Sequence, residues 1–354
     1  MKSIKSSVPA KVFLAGEHAA VYGVPAIVAA VDIRCQIWLR EIEGKKDQVE
    51  VIDKKLNLKE NLSFKEAVLF AKRAKKEWEE YKKTGEISKL TKLMKERLAL
   101  VKIAVGESLM VMADQPRQRL KLEIDSKIPT GSGLGSSAAL STAIVMALLK
   151  DQAKKKIKEV VLAVETRQHG IPSGADQATV INGGFLRYEK VKNNPRVEPF
   201  RPKSRLQKFL LIDSGKPSEN TAEMVAGVKE RYKKEGRKYS QAFEKMGEIS
   251  EEWLSMLKTK NGDLKTKIGE LIAENEKELE KIGVVGKRAK EMIKEVNKIG
   301  GEVKICGAGG VKTGSGILLG YHQDLEKLKA LVERKNWKYY EVELGSEGAR
   351  YEKS

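Results

Sequence analysis

The spacing of apolar positions changes along the chain and predicts where strands and helices lie. KVFLAG (11–16) and AIVAAVDIRCQIWLR (26–40) are apolar runs of strand-forming residues, so we predict two strands around a turn within residues 8–40. Residues 47–57 predict a further strand. QRLKLEIDSKI (118–128) alternates apolar and polar residues, which is typical of a strand with one buried face.

A helical pattern fills the region between these strands. From Phe64 to Met112 apolar residues recur every three or four positions, which predicts helices with one buried face. The Thr84-Gly85 pair divides this stretch, so we predict two helices rather than one. Two more helices are predicted over 136–150 and 155–168, the second ending at the Gly and Pro of His169–Pro172.

The second half of the chain repeats this mixture of elements. We predict strands in 183–190, 207–215, 302–310, 315–322 and 337–344, and helices near 219–260, 263–282, 286–298 and 323–335. Strands followed by helices and again by strands favour an α+β fold over a regular alternating α/β series. The polar stretch 190–205 suggests a division into an N-terminal domain, 1–195, and a C-terminal domain, 196–354.

Composition narrows the class of protein. The chain has 354 residues, of which 41% are hydrophobic and 33% charged, enough apolar content for a packed core. A net charge of +19 indicates either an anionic partner or lysine-rich solvated helix faces, and Lys and Glu alternate in KRAKKEWEEYKK (72–83) as such faces do. Cys35 and Cys306 have no metal-binding spacing. We therefore expect a cytoplasmic protein without disulfides and without a membrane-spanning segment.

The stretch IPTGSGLGSSAAL (128–140) places glycines and serines directly before a predicted helix. Glycines let successive backbone N–H groups converge on an anion, and the helix N-terminus adds a positive partial charge. The stretch lacks the lysine of a Walker loop and the spacing of a dinucleotide fingerprint. It is therefore either a capped turn or a phosphate cradle in which the Ser136 or Ser137 hydroxyl caps the helix or binds magnesium.

Three further segments carry candidate chemistry, each with a plainer alternative. In ETRQHGIPSGADQA (165–178), Asp176 is either an acid that orients an attacking hydroxyl or a helix cap, and Glu165 is either a ligand or a solvated acid. In PAKVFLAGEHAAVYG (9–23), a strand lysine precedes a Glu-His turn that is either functional or only hydrogen-bonded. KICGAGGVKTGSG (304–316) is either a second phosphate-side glycine turn or a tight hairpin.

In combination, these segments closely resemble the GHMP kinase superfamily, which includes galactokinase, homoserine kinase, mevalonate kinase and phosphomevalonate kinase. The resemblance covers nearly the whole chain and is weakest over 41–115 and the last 20 residues. Within the superfamily the segments look most like the mevalonate kinase family, with Lys-x-x-x-x-Gly-Glu-His at 11–18 and Glu-x-x-x-His-Gly-x-Pro-Ser-Gly-x-Asp at 165–176. Galactokinases place Thr-Asp-Tyr where this chain has Ala19-Ala20-Val21.

The resemblance implies a fold and a set of roles. It implies an N-terminal domain with a left-handed βαβ phosphate-loop unit, a ferredoxin-like C-terminal domain, and transfer of phosphate from ATP to the 5-hydroxyl of mevalonate with Mg²⁺. Partners would be the two small-molecule substrates and, in a homodimer, a second copy, but neither nucleic acid nor membrane. The implied residues are Asp176 and Lys11 for catalysis; Gly131, Ser132, Gly133, Leu134, Gly135, Ser136, Ser137, Gly307, Ala308 and Gly309 for ATP; Glu17, His18 and Thr221 for mevalonate; and Ser137 and Glu165 for the metal.

Two alternatives to this function follow from the same residues. The first is a related kinase acting on phosphomevalonate or a sugar, for which the excess positive charge would suit a phosphorylated substrate. The second is a non-catalytic binding protein, against which the chain carries every candidate catalytic residue type and lacks interleaved aromatics. The insertion Val311-Lys312-Thr313 departs from the family's third glycine motif, so Lys312 either helps to bind nucleotide or points to solvent.

Overall fold

The structure, a computed structural model, describes residues 3–114, 116, 118–170, 172–191, 194–260 and 264–353. Asp263 of the predicted helix 263–282 and Ile171 of the 165–178 motif lie outside these residues. Within them the chain forms a mixed α+β fold built on two sheets, as the sequence predicts. None of the described helices combines the length and the apolar composition needed to cross a bilayer.

Residues 3–200, together with a short strand β12 (Arg350–Glu352), build a large sheet backed by helices. Its central path runs β12–β1–β2–β5–β3–β4; β6 pairs with β2, β7 pairs with β6, and β3 and β5 pair in parallel. The elements are β1 (Ser3–Ala15), β2 (Ala26–Ile42), β3 (Gln48–Asp53), β4 (Leu58–Ser63), α1 (Phe64–Thr84), α2 (Ser88–Leu93), α3 (Ala99–Val111), β5 (Arg119–Ser126), α4 (Ser136–Leu148), α5 (Lys154–His169), α6 (Ala175–Asn182), β6 (Phe185–Val191) and β7 (Asn194–Phe200).

The rest of the chain forms a smaller antiparallel sheet of order β11–β8–β10–β9, with helices inserted between its strands. The sequence β–α–β–β–α–β with this strand order is the ferredoxin-like arrangement that the resemblance implies. The elements are β8 (Phe209–Asp213), α7 (Thr221–Lys234), α8 (Gly236–Lys258), α9 (Leu264–Lys281), α10 (Lys287–Asn297), β9 (Glu302–Ile305), β10 (Ile317–Tyr321), α11 (Leu325–Arg334), β11 (Tyr339–Val342) and β12 (Arg350–Glu352).

Several predicted elements differ from the observed ones. Residues 64–111 form three helices rather than two, because Leu98 adopts φ 57° and interrupts the helical path without a Gly or Pro to mark it. The strands β4, β7 and β12 were not predicted. Asp176 is not a helix cap, since Gly174 occupies that position and Asp176 lies in the first turn of α6.

One buried cluster joins the two sheets, and a second contains the alternate strand residues Leu210, Ile212 and Leu318 of the smaller sheet. Trp253 and Leu257 of α8 pack in the same buried cluster as strands β1 and β2, and β12 returns from the chain end to pair with β1. Residues 196–200 continue β7 in the large sheet, so the sheets do not change over at 195. The division into domains 1–195 and 196–354, like the hand of the βαβ unit, stays a prediction.

Candidate active site

The glycine-rich loop between β5 and α4 has the backbone shape of an anion cradle. Gly131, Gly133 and Gly135 have φ values of 68°, 85° and 71°, a region that residues with side chains rarely adopt. Ser132 fixes the loop internally because its Oγ donates to Pro129 O at 2.7 Å. Helix α4 begins at Ser136 with no side-chain cap, so its first N–H groups remain directed toward the loop.

The third glycine motif packs directly on this loop. A Cβ at Gly307 would lie 2.7 Å from the Cα of Gly133, so the two backbones approach more closely than any side chain allows. Ile317 N donates to Ser132 O at 2.9 Å and ties the loop to the start of β10. The two glycine segments therefore form one continuous backbone surface, although Gly133 and Gly307 are 174 positions apart in the chain.

Lys11 and Asp176 meet beside the loop. Lys11 Nζ lies 2.9 Å from Asp176 Oδ1, with the lysine side chain 3% exposed and the aspartate 38% exposed. Lys11 also packs against Gly135, where a Cβ would come within 2.9 Å of its Cγ, and its backbone N–H donates to Leu134 O at 3.0 Å. The ammonium is thus buried under the cradle, while the carboxylate remains open to a bound molecule.

The turn that carries Asp176 is held by residues outside the glycine motifs. The Tyr188 hydroxyl donates to Ser173 O, and it lies where a side chain on Gly174 would have to pass. Trp78 Nε1 of α1 donates to Gly170 O at 2.7 Å. Helix α1, which lies in the region least like the family, therefore supports the loop that positions Asp176.

Glu165 and Ser137 lie on neighbouring helices close to this pair. Burial, together with the negative charge of Asp176, raises the pKa of Glu165 to about 8, and Lys11 opposes the rise. Gln168 Nε2 donates to Ser137 Oγ at 2.9 Å. Burial lowers the pKa of His169, and the negative charge of Asp176 opposes this shift.

Glu17 is directed into the protein rather than toward an open surface. Its carboxylate forms an ion pair with Lys304, whose Nζ also donates to Phe13 O at 3.0 Å and Ile305 O at 2.8 Å. Asn275 Nδ2 donates to the other oxygen of Glu17 at 3.0 Å. The side chains of Lys304 and Glu17 are 0% and 1% exposed. The expectation that Glu17 faces a substrate is therefore replaced by an internal tie between β1, α9 and β9.

His18 and Thr221 occupy different environments. His18 is 3% exposed, and its Nε2 lies 3.0 Å from Ala308 O in the third glycine motif. Because a carbonyl only accepts, Nε2 carries the proton, and burial lowers the pKa of the ring. Thr221 is exposed at the start of α7, next to a capping box formed by Asn220 and Glu223.

Among the remaining predicted nucleotide residues, Leu134 has a buried side chain and Ser136 is half-buried. Leu134 can contribute only through its backbone. Gln168, Tyr188 and Lys304 were missed by the sequence analysis. Gln168 lies at a variable position of the 165–178 motif, and only the hydrogen-bonding ability of its side chain distinguished it.

Comparisons with known proteins identify relatives of this chain. Residues 96–184 match the family described as "GHMP kinases N terminal domain". The chain is 31% identical over 318 residues to the mevalonate kinase of Pyrococcus furiosus, an alignment that covers 88% of this chain and 87% of that protein.

Two solved structures share the fold. The Methanococcus jannaschii mevalonate kinase superposes with a TM-score of 0.75 at 23% identity, covering 98% of this chain and 99% of that one. The L. major mevalonate kinase in complex with R-mevalonate superposes with a TM-score of 0.67 at 18% identity, covering 97% and 96%. With these matches along almost its whole length, the chain belongs to the mevalonate kinase family of the GHMP kinases.

Proposed function

We propose that the protein transfers the γ-phosphoryl group of ATP to the 5-hydroxyl of mevalonate, giving 5-phosphomevalonate and ADP. The observation that carries this proposal is the 2.9 Å pair of Lys11 and Asp176 directly beside the glycine cradle. Phosphoryl transfer requires mainly that the two substrates be positioned and that charge be stabilised. A cradle, a buried cation and an open carboxylate supply these requirements at one place.

In the proposed reaction Asp176 receives the proton of the attacking hydroxyl. The hydroxyl oxygen forms a bond to the γ-phosphorus while the bond from that phosphorus to the β–γ bridging oxygen breaks. Lys11 is fixed between Gly135 and Asp176, so its ammonium orients the carboxylate and lies next to the charge that develops on the phosphoryl group. Backbone N–H groups of residues 131–137, with Gly307–Gly309 behind them, bind the polyphosphate.

The residues present fit a magnesium ion. Mg²⁺ is usually held by one or two carboxylates together with substrate phosphates and waters, and Ser137 and Glu165 supply a hydroxyl and a carboxylate near the cradle. Glu165 forms no ion pair with the described residues, and burial raises its pKa, so a bound cation would favour its ionised form. When bound, the ion would neutralise charge on the phosphate oxygens.

On the substrate side, we propose that His18 and Thr221 contact mevalonate. Glu17 holds the surrounding elements in place and does not contact the substrate. A sugar is less well suited, because Ala19 and Ala20 are 0% exposed and occupy the positions of the galactokinase Asp motif. We also propose that the enzyme is cytoplasmic and that it forms a homodimer. Sedimentation of the purified chain tests the homodimer.

A coupled assay that detects ADP tests the function directly. Purified protein with MgATP is offered mevalonate, phosphomevalonate and galactose in parallel, each at the same concentrations. We expect turnover with mevalonate at a kcat/KM at least about 100-fold above that with the other two, since a site built for one polar group rejects analogues strongly. Preference for phosphomevalonate or galactose would replace the proposal with the related kinase.

A further inference from the structure

A second lysine lies over the opposite end of the phosphate loop from Lys11. Lys216, in the segment between β8 and α7, has its Cε 3.4 Å from the position of a Cβ on Gly131. Lys11 contacts Gly135, at the other end of the loop. The loop is therefore contacted by one lysine from β1 and one from the C-terminal part of the chain. Sequence analysis did not identify Lys216.

Lys216 is exposed and forms no ion pair with a described carboxylate, a state that it shares with many lysines of this protein. What distinguishes it is its position against Gly131 of the phosphate loop. An exposed lysine without a counter-charge, with its side chain against a glycine of an anion cradle, has its ammonium available to an anionic ligand.

The atypical insertion in the third glycine motif fixes the backbone beneath Lys216. Thr313 Oγ1 donates to Lys216 O at 3.0 Å, and Lys312 N donates to Glu219 Oε1 at 3.2 Å. Gly215 N donates to Asp213 Oδ1 at 2.8 Å on the other side. The 311–313 insertion thus supports this segment through the backbone N–H of Lys312 and the hydroxyl of Thr313. This support gives a structural role to an insertion that departs from the family's third glycine motif.

We propose that Lys216 binds the polyphosphate chain of the nucleotide from the C-terminal side and that the 311–313 insertion holds it in place. This inference rests on the proposed kinase function, but it concerns only the nucleotide. The nucleotide would be bound between two parts of the chain, with Lys11 buried at one end of the loop and Lys216 exposed at the other.

Nucleotide binding without any alcohol substrate tests the inference separately from the identity of that substrate. The full chain is titrated calorimetrically with MgATP and, by competition, with AMP. In Lys216→Met we expect the Kd for MgATP to rise about tenfold, and that for AMP to change less than about twofold, because AMP lacks the polyphosphate. Lys216→Arg retains the charge and should keep the Kd for MgATP within about threefold of wild type.

Two further variants make the test specific. Lys298→Met removes an exposed lysine, 70% exposed, at the C-terminal end of α10 and should leave the Kd for MgATP unchanged. Thr313→Val removes the hydroxyl that holds Lys216 and should raise the Kd for MgATP about threefold.

Salt separates an electrostatic role from a structural one. Because Lys216 is exposed, the difference between wild type and Lys216→Met should shrink at high ionic strength. Equal weakening of MgATP and AMP, a difference that is independent of salt, or an unchanged Kd for MgATP would each overturn the inference. Loss of mevalonate turnover with nucleotide binding as expected would instead count against the proposed function alone.

Discussion

Two lysine–carboxylate pairs near the same strand end serve different purposes. In the open pair, Lys11 and Asp176, the lysine is 3% exposed but the carboxylate is 38% exposed. In the buried pair, Lys304 and Glu17, the two side chains are 0% and 1% exposed. The ions are alike, and solvent access is what differs. An exposed carboxylate oxygen can receive a proton from a substrate, whereas a carboxylate whose oxygens both have protein partners can only hold elements together.

The difference in solvent access also predicts that mutation of the two pairs affects different properties of the protein. Replacing the carboxylate of the open pair leaves the buried Lys11 ammonium beside a position that solvent reaches, since Asp176 is 38% exposed, so we expect the main loss to be chemical. Removing the cation of the buried pair leaves a charge within the core, where desolvation is expensive and no water replaces the partner. One pair should therefore govern rate and the other stability.

The largest expected effect is on the open pair. Asp176→Asn preserves shape but removes the group that we propose accepts the hydroxyl proton, so we expect kcat to fall roughly 10²- to 10⁴-fold. The midpoint of thermal unfolding should change little, because the amide can still accept a hydrogen bond from Lys11. Initial rates of ADP formation and a thermal melt measure both quantities. Turnover equal to wild type would remove Asp176 from the mechanism.

The next effect is on the buried pair. Lys304→Met leaves Glu17 charged inside the core, and we expect the free energy of unfolding to fall by about 3–5 kcal/mol. Urea unfolding measures this change, and the double variant Lys304→Met/Glu17→Gln should recover part of it. The exposed pair Lys298–Glu295, with Lys298 70% exposed, is the control, and Lys298→Met should leave the unfolding midpoint unchanged. Equal midpoints for both single variants would contradict the comparison.

A neighbouring carboxyl sharpens the comparison through pH. Glu276 is 4% exposed; its Oε2 accepts from Ile305 N at 2.9 Å, and its Oε1 has no partner among the described residues. Burial raises its pKa to about 8 from a model-compound value of 4.5. As pH rises between these values, the unfolded chain loses this proton and the folded chain keeps it, so folding becomes less favourable.

Glu276→Gln removes that titration. From pH 5 to pH 8 we expect wild type to lose about 3–4 kcal/mol of unfolding free energy relative to the variant, with no further divergence well above pH 8. Urea unfolding at several pH values measures the two curves. Parallel curves would show that Glu276 titrates alike in both states and that the region around the buried pair admits water.

The two pairs also differ in how well the sequence predicted them. Lys11 and Asp176 lie in short motifs that resemble those of a known family, so the resemblance predicts both residues, although the motifs alone leave their roles open. Lys304 is the first residue of KICGAGGVKTGSG (304–316) and lies on a predicted strand, yet no neighbouring residue in the sequence indicates that this lysine is fully buried. Its partner Glu17 is 287 positions away, and only the tertiary fold brings them together.

The same reason explains the missed elements. Strand β12 has three residues and is stabilised by pairing with β1 at the other end of the chain. The break at Leu98 depends on a left-handed backbone conformation that leucine rarely adopts and no turn residue marks. Patterns of period two and 3.6 report local burial, so they located the long elements and left out those that depend on distant partners.

The smallest effect we predict concerns Gln168, which modifies the open pair's surroundings without touching it. Its Nε2 occupies one lone pair of the Ser137 hydroxyl, so the Ser137 proton and the remaining lone pair are directed elsewhere. In Gln168→Leu the hydroxyl is free to rotate. Since a neutral hydrogen bond contributes about 1 kcal/mol, kcat/KM for ATP should fall roughly fivefold, while KM for mevalonate stays unchanged.

A double-mutant cycle with Ser137→Ala decides whether Gln168 acts through Ser137. If the amide works only by orienting that hydroxyl, Gln168→Leu should have no further effect on kcat/KM once the hydroxyl is absent. Additive losses would mean that Gln168 contributes through the packing of helix α5, which is a structural role like that of the buried pair. Non-additive losses would mean that Gln168 affects the reaction through Ser137, one residue beyond those that we propose bind ATP.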